Sequence, residues 1–593
     1  MTDWNVGQIL MNPEPFVSAT RAWIEDNAFL LGGTATCALL ACGVLSFGTA
    51  ALIDKWRHRQ SQEKRWAGIK VAKKAGLLRN PELKYSGIPV GKLAGKYLCW
   101  TDQEPVLVTG GTRSGKGVGV IRPACVTYGG PLIAYDGGKG ELFRDTSGYR
   151  KTFSHVMKFD LTDPNGVHFN FLDEVDLSDP VAGADNLAEC IPKPGKSDAH
   201  FEAQADKMMS AIILHVLHGE PPENRNMGRV LDLINQGDEG MRHIVGTNAH
   251  PKAVSRINSF FAGDAFVGGA GDAIKYRQMV YSSASVRLKA FDSPIVDMIT
   301  SRSDFRLRDL FRAAPDGRPV SFYLTTPASE DERLKPVMSM FLSLLLNSIM
   351  REQPALDGER RTLLVIDEFA SLRMNILQTA ITKIVGAGCT MLLGAQSLNA
   401  LRQEPYGENN QFNDNIRCQI TYAANDPRSQ QQISQASGRF SDTRQSQSKG
   451  RMSGRMGTSR TETESEADKQ RIEPGEVREI EDENEIIFIT GRKPIWCEKI
   501  RDFADPILRQ RIGLPQAEIR GADSVYPDLP YPGRVSPWSQ PAVGVAPPEP
   551  KAKPKKKLVV ADNDDEPEKP PVEDDDRPKA KPKKRQLIRD TGT

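Results

Sequence analysis

A chain of 593 residues is too long for one compact core and predicts about three or four folding units. Hydrophobic residues make up 39% and charged residues 26%, which excludes a wholly disordered chain and a polytopic membrane protein. The 78 basic residues nearly balance the 76 acidic ones, for a net charge of +2. A uniformly basic nucleic-acid coat is therefore excluded, and any basic surface must be local. The 8 cysteines are scattered without a CxxC pair. That spacing disfavours a disulfide framework or a structural zinc site and points to a reducing interior for the bulk of the chain.

The first element is a charge-free apolar run, AFLLGGTATCALLACGVLSFGTAALI, from Ala28 to Ile53. A bilayer core needs about 20 apolar residues as a helix, so residues 28–53 are predicted to span a membrane. A cleavable signal peptide would want a basic start and a shorter run, whereas residues 1–27 carry Arg21 against Asp3, Glu14, Glu25 and Asp26. Lys55, Arg57, Arg59, Lys64, Arg65 and Lys70 follow the run. The positive-inside bias then leaves residues 1–27 outside and the bulk of the chain in the cytoplasm.

Next come a β-branched run, Pro105–Thr109, and the turn Gly110-Gly111-Thr112-Arg113-Ser114-Gly115-Lys116-Gly117, with helix-compatible sequence after it. Strand, glycine-rich turn, lysine and helix together read as a phosphate-binding loop for ATP. Glycines let successive N–H groups face phosphate oxygens, the helix N-terminus adds its positive end, and Lys116 would reach the β- and γ-phosphates. The residue after the lysine, usually a Mg²⁺-binding Ser or Thr, is Gly117. Ser114, Thr112 or water would then complete the metal shell. Further along, RTLLVIDEFA (361–370) is a buried-type strand ending in Asp367 and Glu368. Carboxylates at that end of a strand in an open α/β sheet face the ligand crevice. Asp367 is expected to hold Mg²⁺ and Glu368 to orient and polarise the attacking water. Two more strand-like segments, 131–135 ending at Asp136 and 390–395 ending at Gln396, extend the sheet, and Gln396 is placed to sense the γ-phosphate.

The strings GGTRSGKGVGV, YDGGKGEL, VIDEFASL and LLGAQSLNALRQEPYGE, with RIEPGE, IIFITG and Lys493-Pro494 behind them, resemble the type IV secretion coupling proteins. These form the TraG/TrwB group of conjugative DNA-transfer ATPases, related in fold to RecA-like and FtsK-like motors. The likeness runs from about Trp66 to Phe503, and Gly117 resembles what the group carries after its lysine. Many members have two membrane helices with a periplasmic loop between them, whereas one span is read here. The resemblance implies an α/β RecA-like P-loop NTPase domain interrupted by an all-α domain. It also implies a homo-hexamer at the bacterial inner membrane, which moves relaxase-bound single-stranded DNA toward other secretion components by ATP hydrolysis. From RecA-like motors it implies an arginine supplied by a neighbouring subunit, with Arg417 favoured over Arg402.

Together these readings divide the chain into a periplasmic segment (1–27), a transmembrane helix (28–53), two parts of the nucleotide-binding domain (54–177 and 299–523), an all-α domain (178–298) and a disordered Pro-rich, charged tail (524–593). In the all-α part Met208, Met209, Ile212, Ile213 and Leu217 recur at helical spacing, and His215 and His218 read as structural histidines, not ligands. The basic, Ser-rich stretch 441–460 reads as a mobile loop that can touch DNA phosphates. Two other functions fit the same motifs: a docking receptor for secreted proteins with ATP as a switch, and an FtsK-like duplex DNA translocase. The second is disfavoured because no winged-helix pattern appears near the C-terminus.

Overall fold

The computed structural model describes residues 65–518, apart from 80–86, 139, 196–197, 248–249, 263–269, 315, 353–360 and 452–457. The expected membrane span at 28–53, the segment before it and the tail at 524–593 lie outside the described residues. Among those described, no helix is long and apolar enough to cross a membrane.

The chain lays down β1 (Ile88–Leu93), β2 (Lys96–Trp100), β3 (Val106–Thr109), β4 (Leu132–Asp136), β5 (His155–Phe159), β6 (Val320–Thr325), β7 (Thr362–Ile366), β8 (Cys389–Ala395) and β9 (Cys418–Thr421). After them come β10 (Arg439–Arg451), β11 (Thr458–Gln470), β12 (Asn484–Ile489) and β13 (Ile495–Glu498). All but β10 and β11 join one 11-stranded sheet in the order β2-β1-β13-β12-β9-β3-β8-β7-β4-β6-β5. From β9 to β5 every pairing is parallel. These strands read as continuous apolar runs because both sheet faces are covered, and every residue of β3, β4, β6, β7 and β8 is buried. The four strands from β12 to β2 pair antiparallel, so the chain's early strands β1 and β2 are joined to the parallel set through its last two.

That junction is anchored where the described chain begins. The Trp66 and Trp496 rings lie 5.3 Å apart, Ala67 N–H donates to Pro494 C=O at 2.9 Å, and Arg65 pairs with Glu476 at 2.6 Å.

Helices cover both faces. A π turn (Gly117–Ile121) runs into α1 (Arg122–Thr127), and α2 (Glu141–Lys151) follows β4. Between β5 and β6 the chain inserts α3 (Pro180–Cys190), α4 (Ala199–Gly219), α5 (Met227–Asn235), α6 (Asp238–Gly246), α7 (Pro251–Ala262), α8 (Ala270–Leu288) and α9 (Pro294–Thr300). Their starts follow local chemistry. Asp179, Asp198 and Asn226 each cap a helix by accepting a backbone N–H, and Pro180 opens α3 with its φ already set. The central α4 buries Met208, Met209, Ile212 and Ile213, as its periodicity predicts. Arg287 of α8 lies over it, paired with Glu202 at 3.1 Å and Asp206 at 2.8 Å and donating to Ile191 C=O at 2.7 Å.

The insertion is tied to the sheet by aromatic packing. Phe159 of β5, Phe322 of β6 and Phe341 of α10 (Asp331–Glu352) stack with Phe169 and Phe305, and the Phe322 and Phe341 rings are 5.5 Å apart and nearly parallel at 9°. Phe341→Ala is expected to destabilise the protein by about 3–5 kcal/mol, measurable as a lowered denaturant midpoint.

One expectation needs revision. The basic stretch 441–460 is not a loop, because most of it belongs to the β10–β11 hairpin, paired antiparallel from Arg439↔Gln470 to Arg451↔Thr458. The β10 sequence is on balance basic and the β11 sequence acidic.

Candidate nucleotide site

Strand order creates the site. β8 lies between β3 and β7, all three are parallel, and their C-terminal ends share one edge of the sheet. The glycine-rich turn leaves β3, Gln396 leaves β8, and the Asp367–Glu368 pair leaves β7 at that edge. The registers Thr109↔Ala395 and Ile366↔Leu393 place these departures side by side.

The turn curls as a phosphate-binding loop requires. Arg113 (φ 63°) and Gly115 (φ 97°) both take left-handed backbone, which the Arg113 side chain resists. Gly110 has no room for a side chain, since a Cβ there would lie 2.5 Å from Ser114 Oγ and 2.6 Å from the Tyr422 ring. Lys116 is 8% exposed, and its Nζ donates to Gly110 C=O at 2.5 Å, so the ammonium lies along the loop. Ser114 Oγ is buried and makes no hydrogen bond within the described residues.

Asp367 is buried and accepts a place beside β8, where a Cβ on Gly394 would meet Asp367 Oδ1 at 2.8 Å. Its backbone N–H donates to Tyr135 C=O of β4 at 3.3 Å. Glu368 is half-buried and takes left-handed backbone at φ 64°, an unfavourable state for glutamate. Its carbonyl accepts from Ser371 N–H at 3.1 Å and Ser371 Oγ at 2.9 Å, which fixes the turn Phe369–Ser371. Gln396 is exposed. Asp136 closes β4 at the same edge, but its carboxylate accepts Leu142 N–H at 2.6 Å and caps α2.

The loop residues Gly110–Gly117 with Lys116, the acid pair and Gln396 are therefore neighbours. Arg417 is not. It precedes β9, at the opposite edge of the sheet in its own chain, half exposed and paired with Glu104 at 2.6 Å. Arg402 lies on the turn Ala400–Arg402 after β8, on the loop's side, facing the Gln432 amide. His215 is buried, 3.6 Å from Glu220, with His243 edge-on to it. Arg229 already holds the Glu220 carboxylate at 2.7 Å, so a guanidinium supplies the positive charge where an ion would stand.

The family described as type IV secretory system conjugative DNA transfer matches residues 65–522. The chain belongs to that family. A conjugal transfer protein TraG from Escherichia coli is 25% identical over 584 residues, covering 87% of this chain and 88% of that one. Protein VirD4 of Agrobacterium fabrum is 28% identical over 478 residues, covering 77% of this chain and 68% of its own. Among solved structures, the bacterial conjugative coupling protein TrwBΔN70 in complex with sulphate superposes with a TM-score of 0.55 at 18% identity, over 73% of this chain and 92% of that one. TrwB in complex with ADP and Mg²⁺ gives a TM-score of 0.54 at 18% identity, over 73% and 93%. These structures share the fold, and residues 65–518 fall within the span that the conjugative DNA transfer family matches.

The residues that pattern reading missed lie behind the loop. Tyr422, Lys499 and Asp502 come from segments with no motif of their own. The only trace in the sequence is a polar run, EKIRD, directly after a strand.

Proposed function

We propose that this chain is the ATP-hydrolysing coupling protein of a conjugative type IV secretion system. It would be anchored in the inner membrane by residues 28–53, assembled as a hexamer, and would pass relaxase-bound single-stranded DNA to the secretion channel. The observation that carries this reading is the convergence of Lys116, Asp367 and Glu368 at one sheet edge in a chain of the conjugative DNA transfer family.

The residues present fit Mg·ATP: the loop is bent at Arg113 and Gly115 with open space beside Gly111 and Gly117, and Asp367 stands across β8 from it. Bound there, Mg·ATP supplies the phosphoryl group and the metal charge. Lys116 would turn from the Gly110 carbonyl to the phosphates, the Gly110–Gly117 amides would cradle them, and Asp367 would hold the metal, with Ser114 or Thr112 as a further oxygen. Glu368 orients the attacking water and draws its proton, and Gln396 reads the γ-phosphate. A neighbouring subunit's Arg417 or Arg402 offsets the developing charge.

A measurement of ATPase rate against protein concentration, with and without single-stranded DNA, tests the proposal. The rate per subunit should rise with concentration as subunits assemble, and DNA should accelerate it strongly. Nucleotide binding without any DNA stimulation would overturn the motor reading in favour of a docking receptor. Gly394→Ala should press on Asp367 and raise the Mg²⁺ needed for half-maximal turnover by roughly ten- to a hundredfold, read from a metal titration.

A further inference from the structure

A loop that aims its N–H groups at phosphate must aim its carbonyls elsewhere, and each of those needs a donor. The Gly110 carbonyl is served by Lys116 itself. The Ser114 carbonyl is served from outside the motif: Lys499 Nζ, just after β13, donates to it at 3.1 Å. The same ammonium lies 4.1 Å from the centre of the Tyr422 ring. That ring, 1% exposed at the end of β9, fills the space against Gly110 and Gly119.

The chain then runs on along the π turn. The Ile500 carbonyl lies 3.3 Å from where a Cβ of Gly119 would stand, and Asp502 N–H donates to the Val118 carbonyl at 3.3 Å. The Asp502 carboxylate grips Arg122 of α1 through Nε at 2.8 Å and Nη2 at 3.0 Å. Beneath lies Glu485 of β12, fully buried and opposite Cys497 on β13. Burial pushes its carboxyl well above the usual carboxylate range, and the nearby Lys499 charge opposes this.

We infer that Lys499 is a positioning residue for nucleotide. Through the Ser114 carbonyl and the Tyr422 ring it holds the curl of the phosphate loop, and Lys499–Asp502 straps the loop and its first helical turn into one piece. The inference rests on the nucleotide site proposed above and adds to it a residue that touches no phosphate. When Lys116 leaves the Gly110 carbonyl for a phosphate, Lys499 still keeps the loop bent. Its removal therefore weakens nucleotide binding as such and leaves the chemistry on bound nucleotide largely intact.

The test uses the full-length protein in detergent, titrated with a fluorescent ATP analogue and Mg²⁺, with melting temperatures recorded with and without Mg·ATP. Lys499→Met, with Lys499→Gln measured beside it, should weaken nucleotide binding by about tenfold or more, the scale of losing one charged hydrogen bond. At saturating ATP, kcat should stay within about twofold of wild type, because binding common to ground and transition states is what has been lost. Melting without nucleotide should fall only slightly, since the bond to Ser114 also exists in the free protein, while the rise caused by Mg·ATP shrinks with the weaker affinity. Lys499→Arg, which keeps charge and donor, should restore most of the affinity. Wild-type affinity in both uncharged variants overturns the inference, as does an Arg variant that loses as much as Met with an equal fall in nucleotide-free melting. Lys116→Ala is run alongside: if it too binds normally, the nucleotide site is misplaced. If it alone loses binding, only the role of Lys499 fails.

Discussion

Lys116→Ala is expected to lower ATP turnover by more than about a hundredfold, on the scale of removing one preorganised donor from a transition state. With nucleotide bound the phosphates lose a buried ammonium, and without it the Gly110 carbonyl loses its 2.5 Å hydrogen bond. A circular dichroism melt close to wild type would separate lost chemistry from lost structure. DNA transfer should fall with turnover. Wild-type turnover in this variant would remove the phosphate loop from the mechanism altogether.

Glu368→Gln is expected to bind Mg·ATP with near wild-type affinity and to hydrolyse it about 10²–10⁴ times more slowly, the usual contribution of a positioned general base. The substitution is nearly isosteric and leaves the backbone bonds to Ser371 in place, so the left-handed turn at residue 368 has no new reason to change. Asp367 remains for the metal. Single-turnover hydrolysis together with equilibrium binding tests both halves of the prediction. If the variant hydrolyses normally, the attacking water is oriented by another group. If it fails to bind, Glu368 belongs to the metal or phosphate shell instead.

Much of the sheet is legible in the sequence because parallel strands covered on both faces announce themselves as short apolar runs. TLLVI and CTMLLGA are buried throughout, and the residues that leave those runs, Asp367 and Gln396, are the ones the strand order brings beside Lys116. The long insertion helix is equally plain, since Met208, Met209, Ile212 and Ile213 repeat at helical spacing and are buried. Pairings between distant segments leave no such local trace. Nothing in the local pattern at Lys92 or Tyr97 announces that β1 and β2 pack next to the strand ending at Glu498, or that Lys92 meets Asp505 at 2.7 Å. For the same reason Lys499 reads as an ordinary surface lysine until the fold sets it under Ser114. Arg417 stands at the start of β9 whereas the phosphate loop stands at the strands' ends, so it is a candidate for a neighbouring subunit's site and not for its own. The hairpin β10–β11 leaves no local signal because its polar strands carry no hydrophobic alternation.

The meeting of Trp66 with Trp496 and of Ala67 with Pro494 has a mechanical side. Tension reaching residue 65 meets its bonds to Arg471 and Glu476 and the packing of Trp66 on Trp496 of β13, not the parallel strands. That strand leads directly into Lys499, so a pull at residue 65 and the hold on the Ser114 carbonyl are felt by the same short lever.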